Sequence, residues 1–190
     1  MYVKPGQDHP KADRRRDIYL DRLERSVLIK VASEELKPFL IGLSQLPLRP
    51  GALASLTAGD FNRRLSSLRI GDDKNGGERR IFLPATTAAF LQEQAKDKTP
   101  NAPLIGRADG RKWRKDDWKW VVKAAVKAAG LPEATSAYTL RHSVITDLVT
   151  SGLDLLTIAQ ICDTSVAMIE AHYGHLRQEH AAAALATLAL

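Results

Sequence analysis

The chain has 190 residues, 44% hydrophobic and 26% charged, which suits one compact domain with a packed core and excludes a disordered polymer. Lys and Arg number 28 against 22 Asp and Glu, a formal +6 that favours a polyanionic partner. The single cysteine, Cys162, excludes an internal disulfide scaffold, and no apolar run has the length of a membrane span or signal peptide, so a cytoplasmic protein is expected.

Residues 1–17, with Pro5, Gly6, Pro10 and three consecutive arginines at 14–16, have no apolar period and read as a basic tail or linker remnant. Such a tail is either a solvated terminus or a strap along a phosphate backbone. From Ile18 the pattern turns helical. Asp21 and Glu24 form a capping-box pair, and Leu20, Leu23, Val27, Leu28 and Val31 are expected on one inward face. A second helix is expected over 34–46, stopped by Pro47. The next starts at Pro50, whose fixed φ suits a first helical position, with Arg49 at the amino-terminal cap and Leu53 and Leu56 inward.

Residues 65–84 change to a period of two, Leu68 and Ile70 on one arm and Ile81 and Leu83 on the other, around Asn75-Gly76-Gly77. Asn-Gly tolerates positive φ, so the segment predicts a hairpin with Lys74 at its tip. Helices follow over 87–96 and 111–129. The latter has an apolar stripe of Trp118, Val121, Val122 and Ala125 beside Lys115, Lys119, Lys123 and Lys127 at every fourth position. The three tryptophans, Trp113, Trp118 and Trp120, are expected in the core. Helices over 139–151, 154–162, 165–172 and 176–189 complete the chain, with Leu155, Ile158 and Ile161 inward. The fold class is therefore mainly α with one small antiparallel β-sheet (α+β).

No HExxH, paired CxxC, EF-hand, GxGxxG or GxxxxGK[ST] pattern is present, so neither a metal nor a cofactor is expected. What remains is a set of cations and one tyrosine. Leu48-Arg49-Pro50-Gly51, Lys74-Asn75-Gly76, Tyr138-Thr139-Leu140-Arg141-His142 and the stretch from Met168 to His175 through Tyr173 resemble, in order, the motifs of the tyrosine recombinases, the phage integrase family. Tyr173 lies 32 positions beyond Arg141. The resemblance implies a catalytic domain over 18–190, including the helix at 176–189. It also implies attack of the Tyr173 hydroxyl on double-stranded DNA, a 3′-phosphotyrosyl intermediate and a free 5′-hydroxyl, with strand exchange needing no ATP or metal.

The residue types fit those roles. Negative charge spreads over the non-bridging oxygens of a transferring phosphoryl group, and two guanidiniums clamp it with bidentate bonds that lysine cannot copy. Arg49 and Arg141 are the clamp candidates. Arg49 also lies at a helix start, where unpaired N–H groups favour an anion. An isolated phenol ionises near pH 10, so Tyr173 needs neighbouring cations or a base to become a nucleophile. Following the family's hairpin lysine, Lys74 protonates the leaving 5′-oxygen. Arg79, Arg80, Lys119, Lys123 and Lys127 are candidate DNA-backbone contacts.

The chain departs from the family pattern in three places. Tyr138 stands where His usually opens the His-x-x-Arg motif, so His142 is a second candidate for proton transfer. The later His or Trp position falls on Thr164, or on Asp163 if the loop carries an insertion; Thr164 also reads as an N-cap or the neighbour of one. Position 52, where the family commonly has an acidic partner for the first arginine, is Ala. Full-length family members add an amino-terminal DNA-binding domain for which there is no room, so an excised or truncated integrase is expected. The tail either packs on its own domain or docks on a neighbouring protomer, which would give a cyclic homo-oligomer, a tetramer, on DNA. The alternatives are a silent DNA-binding relative and a helical module whose charge is incidental.

Overall fold

The computed structural model describes residues 18–71, 79–177 and 185. The basic tail, Lys74 with its Asn-Gly turn, and most of the expected helix 176–189 lie outside the described residues. Helix α1 (Arg22–Val31) begins one residue after its cap. Asp21 Oδ1 accepts from the Glu24 amide at 2.8 Å, and Glu24 Oε2 accepts from the Asp21 amide at 2.9 Å, so the box closes as its sequence requires.

The inward face of α1 differs from the expectation. Leu20 and Leu28 are buried, but Leu23, Val27 and Val31 are exposed. The face turned to the core is Arg25, Leu28 and Ala32, at spacings of three and four. A charged residue belongs to it, because the Arg25 guanidinium reaches Asp147 and the Asp21 carbonyl, the latter at 3.2 Å. Apolar periodicity therefore mixes buried Leu20 and Leu28 with an exposed stripe of Leu23, Val27 and Val31.

Helix α2 (Lys37–Gln45) takes Pro38 in its first turn and ends before Pro47. It packs closely on α3 (Pro50–Ser55): a Cβ on Gly42 would stand 2.9 Å from Leu53 Cδ2 and from Ile105 Cδ1, so a larger residue would displace these two core side-chain ends. A short 3-10 turn (Ala58–Asp60) leads to β1 (Phe61–Asn62), β2 (Ser67–Ile70) and β3 (Arg79–Phe82), an antiparallel sheet in the order β1-β2-β3. The two-residue β1 is too short to show a period in the sequence. Leu68 pairs with Ile81 and Ile70 with Arg79, both pairs on the inner face, whereas Arg69 and Arg80 pair on the outer one. Alternation thus sends Arg79 inward and leaves Arg80 exposed.

Helix α4 (Ala85–Ala95) and the long α5 (Lys115–Ala128) flank the sheet and α1. Phe39 of α2 stacks near Trp113 and Trp118, with centroids at 5.6 and 5.4 Å. Trp120, expected in the core, is 64% exposed. It follows Trp118 by two positions, which on a helix is nearly opposite, so both cannot face inward.

Helices α6 (Ala137–Thr150), α7 (Leu155–Cys162) and α8 (Val166–Tyr173) form the carboxy-terminal part, followed by a 3-10 turn, Gly174–Arg177. Two apolar clusters result. The larger runs from Leu20 to Leu140, and the smaller gathers Ile145, Val149, Ile158, Ala159, Cys162, Ile169 and Tyr173. Helix α6 supplies residues to both. Leu155 and Ile161 pack on the smaller cluster only partly buried. Leu185 is exposed. Among the described residues no helix is long and apolar enough to cross a membrane.

Candidate active site

The candidate site forms where the segment before α3, the middle of α6 and the junction between α7 and α8 meet. Arg141 is 8% exposed. Its Nη1 donates to the Pro47 carbonyl and its Nη2 to the Cys162 carbonyl at 2.6 Å. Burial holds the guanidinium below its ordinary ionisation range. Cys162 and Tyr173 oppose that shift, and the nearby Arg49 and Arg79 add to it. The group is still a cation at neutral pH.

Arg49 caps α3 with extended backbone but no side-chain cap bond, and α3 is only six residues long. What fixes its guanidinium is Asp163: Nη1 pairs with the carboxylate and Nη2 donates to the Asp163 carbonyl at 2.9 Å. The Arg49 side chain remains 39% exposed. Arg79, brought inward by the register of β3, places Nη1 3.3 Å from the other Asp163 carboxylate oxygen. Three arginines from three elements therefore converge on the carboxy-terminal end of α7, whose last carbonyls carry the negative end of the helix dipole.

Tyr173 ends α8, with its ring in the smaller core. Its hydroxyl lies 2.7 Å from Nδ1 of the half-buried His142 on α6, and the ring centroids are 5.0 Å apart. In one tautomer Nδ1 accepts the phenol proton; in the other it donates to the oxygen. His172 meets the tyrosine ring edge-on at 6.4 Å. The thiol of Cys162, buried beside Arg141, is pushed up to about 11 by burial, against the pull of Arg141 and Arg79.

The other candidates stand apart from this cluster in role. Tyr138 is exposed in the first turn of α6, although Arg141 one turn on is buried. Thr164 is half-buried, and its amide donates to the Ala159 carbonyl at 3.0 Å, while the neighbouring Ser165 caps α8 by accepting from Met168 N–H at 3.2 Å. Lys119, Lys123 and Lys127 are exposed along α5. Lys119 lies over the Trp120 ring at 5.0 Å, and Lys123 is 3.3 Å from Glu133. Lys74 lies outside the described residues. Among the described residues, no group of three or more His, Cys, Asp or Glu side chains is placed to hold a metal ion.

The sequence gives Asp163 no role in binding the arginines. The sequence marks it only as the alternative to Thr164 at the later His or Trp position, and as an acidic residue directly after an apolar helix, where the chain needs a left-handed stop. Asp163 has φ 53°, ψ 64°, and Asp is among the few side chains that tolerate this region.

The model of the phage integrase family matches residues 30–180. The chain is 30% identical over 119 residues to a tyrosine recombinase XerC of Rhizobium meliloti (strain 1021), covering 60% of the chain and 37% of the relative. It is 26% identical over 176 residues to the XerC of Pelobacter propionicus, covering 88% and 58%. It thus spans well under two thirds of the length of these relatives. Its fold is shared with the XerA recombinase (TM-score 0.70, 20% identity, 86% of this chain and 65% of that one). It is shared also with the Tn1549 transposon integrase, solved with circular intermediate DNA (TM-score 0.73, 17% identity, 90% and 67%). With the family model spanning most of the residues that build the arginine cluster and carry Tyr173, the chain belongs to the phage integrase family.

Proposed function

We propose that this chain is the catalytic domain of a tyrosine-type site-specific DNA recombinase. The observation that carries the reading is the 2.7 Å contact between Tyr173 Oη and His142 Nδ1 beside the Arg49, Arg79 and Arg141 cluster. A phenol with an imidazole at hydrogen-bond distance has a base for its proton, and guanidiniums nearby stabilise both phenolate and phosphoryl charge. The phenol oxygen attacks a backbone phosphorus as its proton passes to His142. The P–O5′ bond breaks, the 5′-oxygen takes a proton, and the DNA 3′ end remains on Tyr173. Reversal with a 5′-hydroxyl from another strand joins the two, without nucleotide hydrolysis. Lys74 is the proposed donor to the leaving oxygen. Tyr138 and Thr164 contribute hydrogen bonds to the phosphate, and Arg80, Lys119, Lys123 and Lys127 contact the backbone.

The names of the relatives and the DNA-bound state of the Tn1549 integrase support double-stranded DNA as substrate. We assign the working assembly as a homotetramer on DNA, acting in the cytoplasm. A second reading, a DNA-binding relative with weak or no cleavage, is favoured by Tyr138 at a His position and Thr164 at a His or Trp position. Trapping on nicked suicide duplexes from candidate element junctions separates the two. A covalent adduct that disappears in Tyr173→Phe supports the recombinase; salt-sensitive binding with no adduct supports the silent relative.

A further inference from the structure

We infer that Asp163 is a positioning residue: its carboxylate, aimed by a left-handed backbone, holds Arg49 and Arg79 in the orientation that receives the phosphate. The inference rests on the recombinase reading for its consequence, though not for its geometry. One carboxylate oxygen pairs with Arg49 and the other lies 3.3 Å from Arg79 Nη1. The same residue's carbonyl takes Arg49 Nη2 at 2.9 Å, so Asp163 engages both ends of that fork. With a rigid planar fork, fixing one edge fixes where the other N–H groups point. The Arg49 side chain is 39% exposed, so the held cation still faces outward.

The chain offers Arg49 no acidic group at position 52, which is Ala, and the pairing comes instead from the end of α7. Three guanidiniums this close repel one another, and Arg141 is already turned onto two carbonyls. Asp163 supplies the negative charge that lies between Arg49 and Arg79. A carboxylate bridging two guanidiniums through its two oxygens spaces them as two non-bridging phosphate oxygens would. Its negative charge also works against the incoming phosphate, so the cost of positioning is weaker binding.

That opposition gives a signature that simple structural damage does not share. Asp163→Gly removes the carboxylate, keeps the carbonyl and suits the left-handed backbone, so folding is retained. Asp163→Asn keeps the shape and one acceptor but not the charge. In single-turnover trapping on a nicked duplex that the unaltered chain cleaves, Asp163→Gly should slow adduct formation by about tenfold or more. Its affinity for duplex DNA should be unchanged or higher, and Asn should recover part of the rate. An adduct rate equal to or above that of the unaltered chain would overturn the inference, because the carboxylate would then only compete with phosphate. Parallel loss of affinity and thermal stability would overturn it as well.

A readout independent of activity comes from the Nε–Hε resonances of Arg49 and Arg79 in the DNA-free chain. They should be resolved and slow to exchange, and should broaden in Asp163→Gly. Unchanged resonances in the Gly variant refute the positioning role. If the unaltered chain forms no adduct on any duplex tried, the recombinase reading fails by itself, and these resonances still decide what Asp163 does.

Discussion

Arg141 donates to the carbonyl of Cys162 at 2.6 Å, tying the middle of α6 to the last residue of α7. Its other Nη donates to Pro47, two residues before Arg49. One buried guanidinium thus joins the three segments that build the candidate site, and it does so by satisfying two buried backbone carbonyls. The second cation, Arg49, repeats the pattern one residue further on, at the carbonyl of Asp163.

Removing Arg141 should therefore cost stability as well as chemistry. Arg141→Ala leaves two buried carbonyls without donors, each worth about 1–3 kcal/mol, so a total loss of about 2–6 kcal/mol is expected in urea denaturation. Arg141→Lys has one short-reaching ammonium for two carbonyls and should regain less than half. Full stability in the Ala variant would mean that these carbonyls find water.

His142 is predicted to act in the proton transfer from Tyr173. With the phenol 2.7 Å from Nδ1, His142→Ala should slow single-turnover cleavage by about 100-fold, within the usual range for a positioned base. Duplex affinity should hold, because Arg49, Arg79 and Arg141 keep their charge in the variant. The pH–rate profile supplies the second check: the limb that reports an imidazole should vanish in the variant. An unchanged rate would assign the base elsewhere.

The helices and the hairpin arms were legible because their signals are local. The Asp21–Glu24 box, Pro50 at a first helical position and the alternation of Leu68, Ile70, Ile81 and Leu83 each depend on neighbours in the chain. The face of α1 was not, since Arg25 occupies a buried position on the strength of Asp147, 122 residues away. Trp120 was misplaced for a related reason: a tryptophan is apolar enough to suggest burial, but only the direction of Trp118 decides which side of α5 is inside. At the site, Arg49, Arg141 and Tyr173 are marked by motif order, and His142 by the Tyr that stands at position 138 where a His is usual. Asp163 is marked only as an alternative to Thr164, and its pairing is hidden because its partners, Arg49 and Arg79, come from distant segments that no periodicity connects.

Trp120 gives a direct test of the α5 orientation. Trp113 and Trp118 are buried and Trp120 is exposed, so acrylamide should quench part of the intrinsic fluorescence steeply and the rest weakly. Trp120→Phe should remove the steep part while changing stability by less than about 0.5 kcal/mol, as for other surface substitutions. A large destabilisation would place this ring in the core.

Cys162 predicts how stability responds to alkali. Its thiol ionises near 9.0 when exposed and is pushed up to about 11 in the fold, mainly by burial. A raised acid stabilises the native state fully below the unfolded value and loses that contribution as pH climbs through the folded one. Stability should therefore fall between pH 9 and 11, by about 2–3 kcal/mol from this group. Cys162→Ala should start lower, from the cavity, but decline less steeply over the same window. Equal slopes would assign the alkaline loss to other groups. At pH 8 the native thiol should react with a disulfide reagent only as fast as the chain opens.

The Arg25–Asp147 pair should be more valuable as a partnership than as an interaction. Arg25 is buried, and Asp147 accepts from its guanidinium and, at 2.8 Å, from the Tyr19 hydroxyl. Asp147→Ala strands a buried cation whose remaining acceptor is the Asp21 carbonyl, and should destabilise by about 2–4 kcal/mol. Tyr19→Phe removes one exposed hydrogen bond and should cost under about 1 kcal/mol. Replacing both charges, Arg25→Leu with Asp147→Leu, removes the desolvation penalty together with the attraction and should recover most of the Asp147→Ala loss in urea denaturation. If the double variant is instead as unstable as the single one, the pair contributes net stability, and the charged inward face of α1 is then part of what holds the amino-terminal helix on α6.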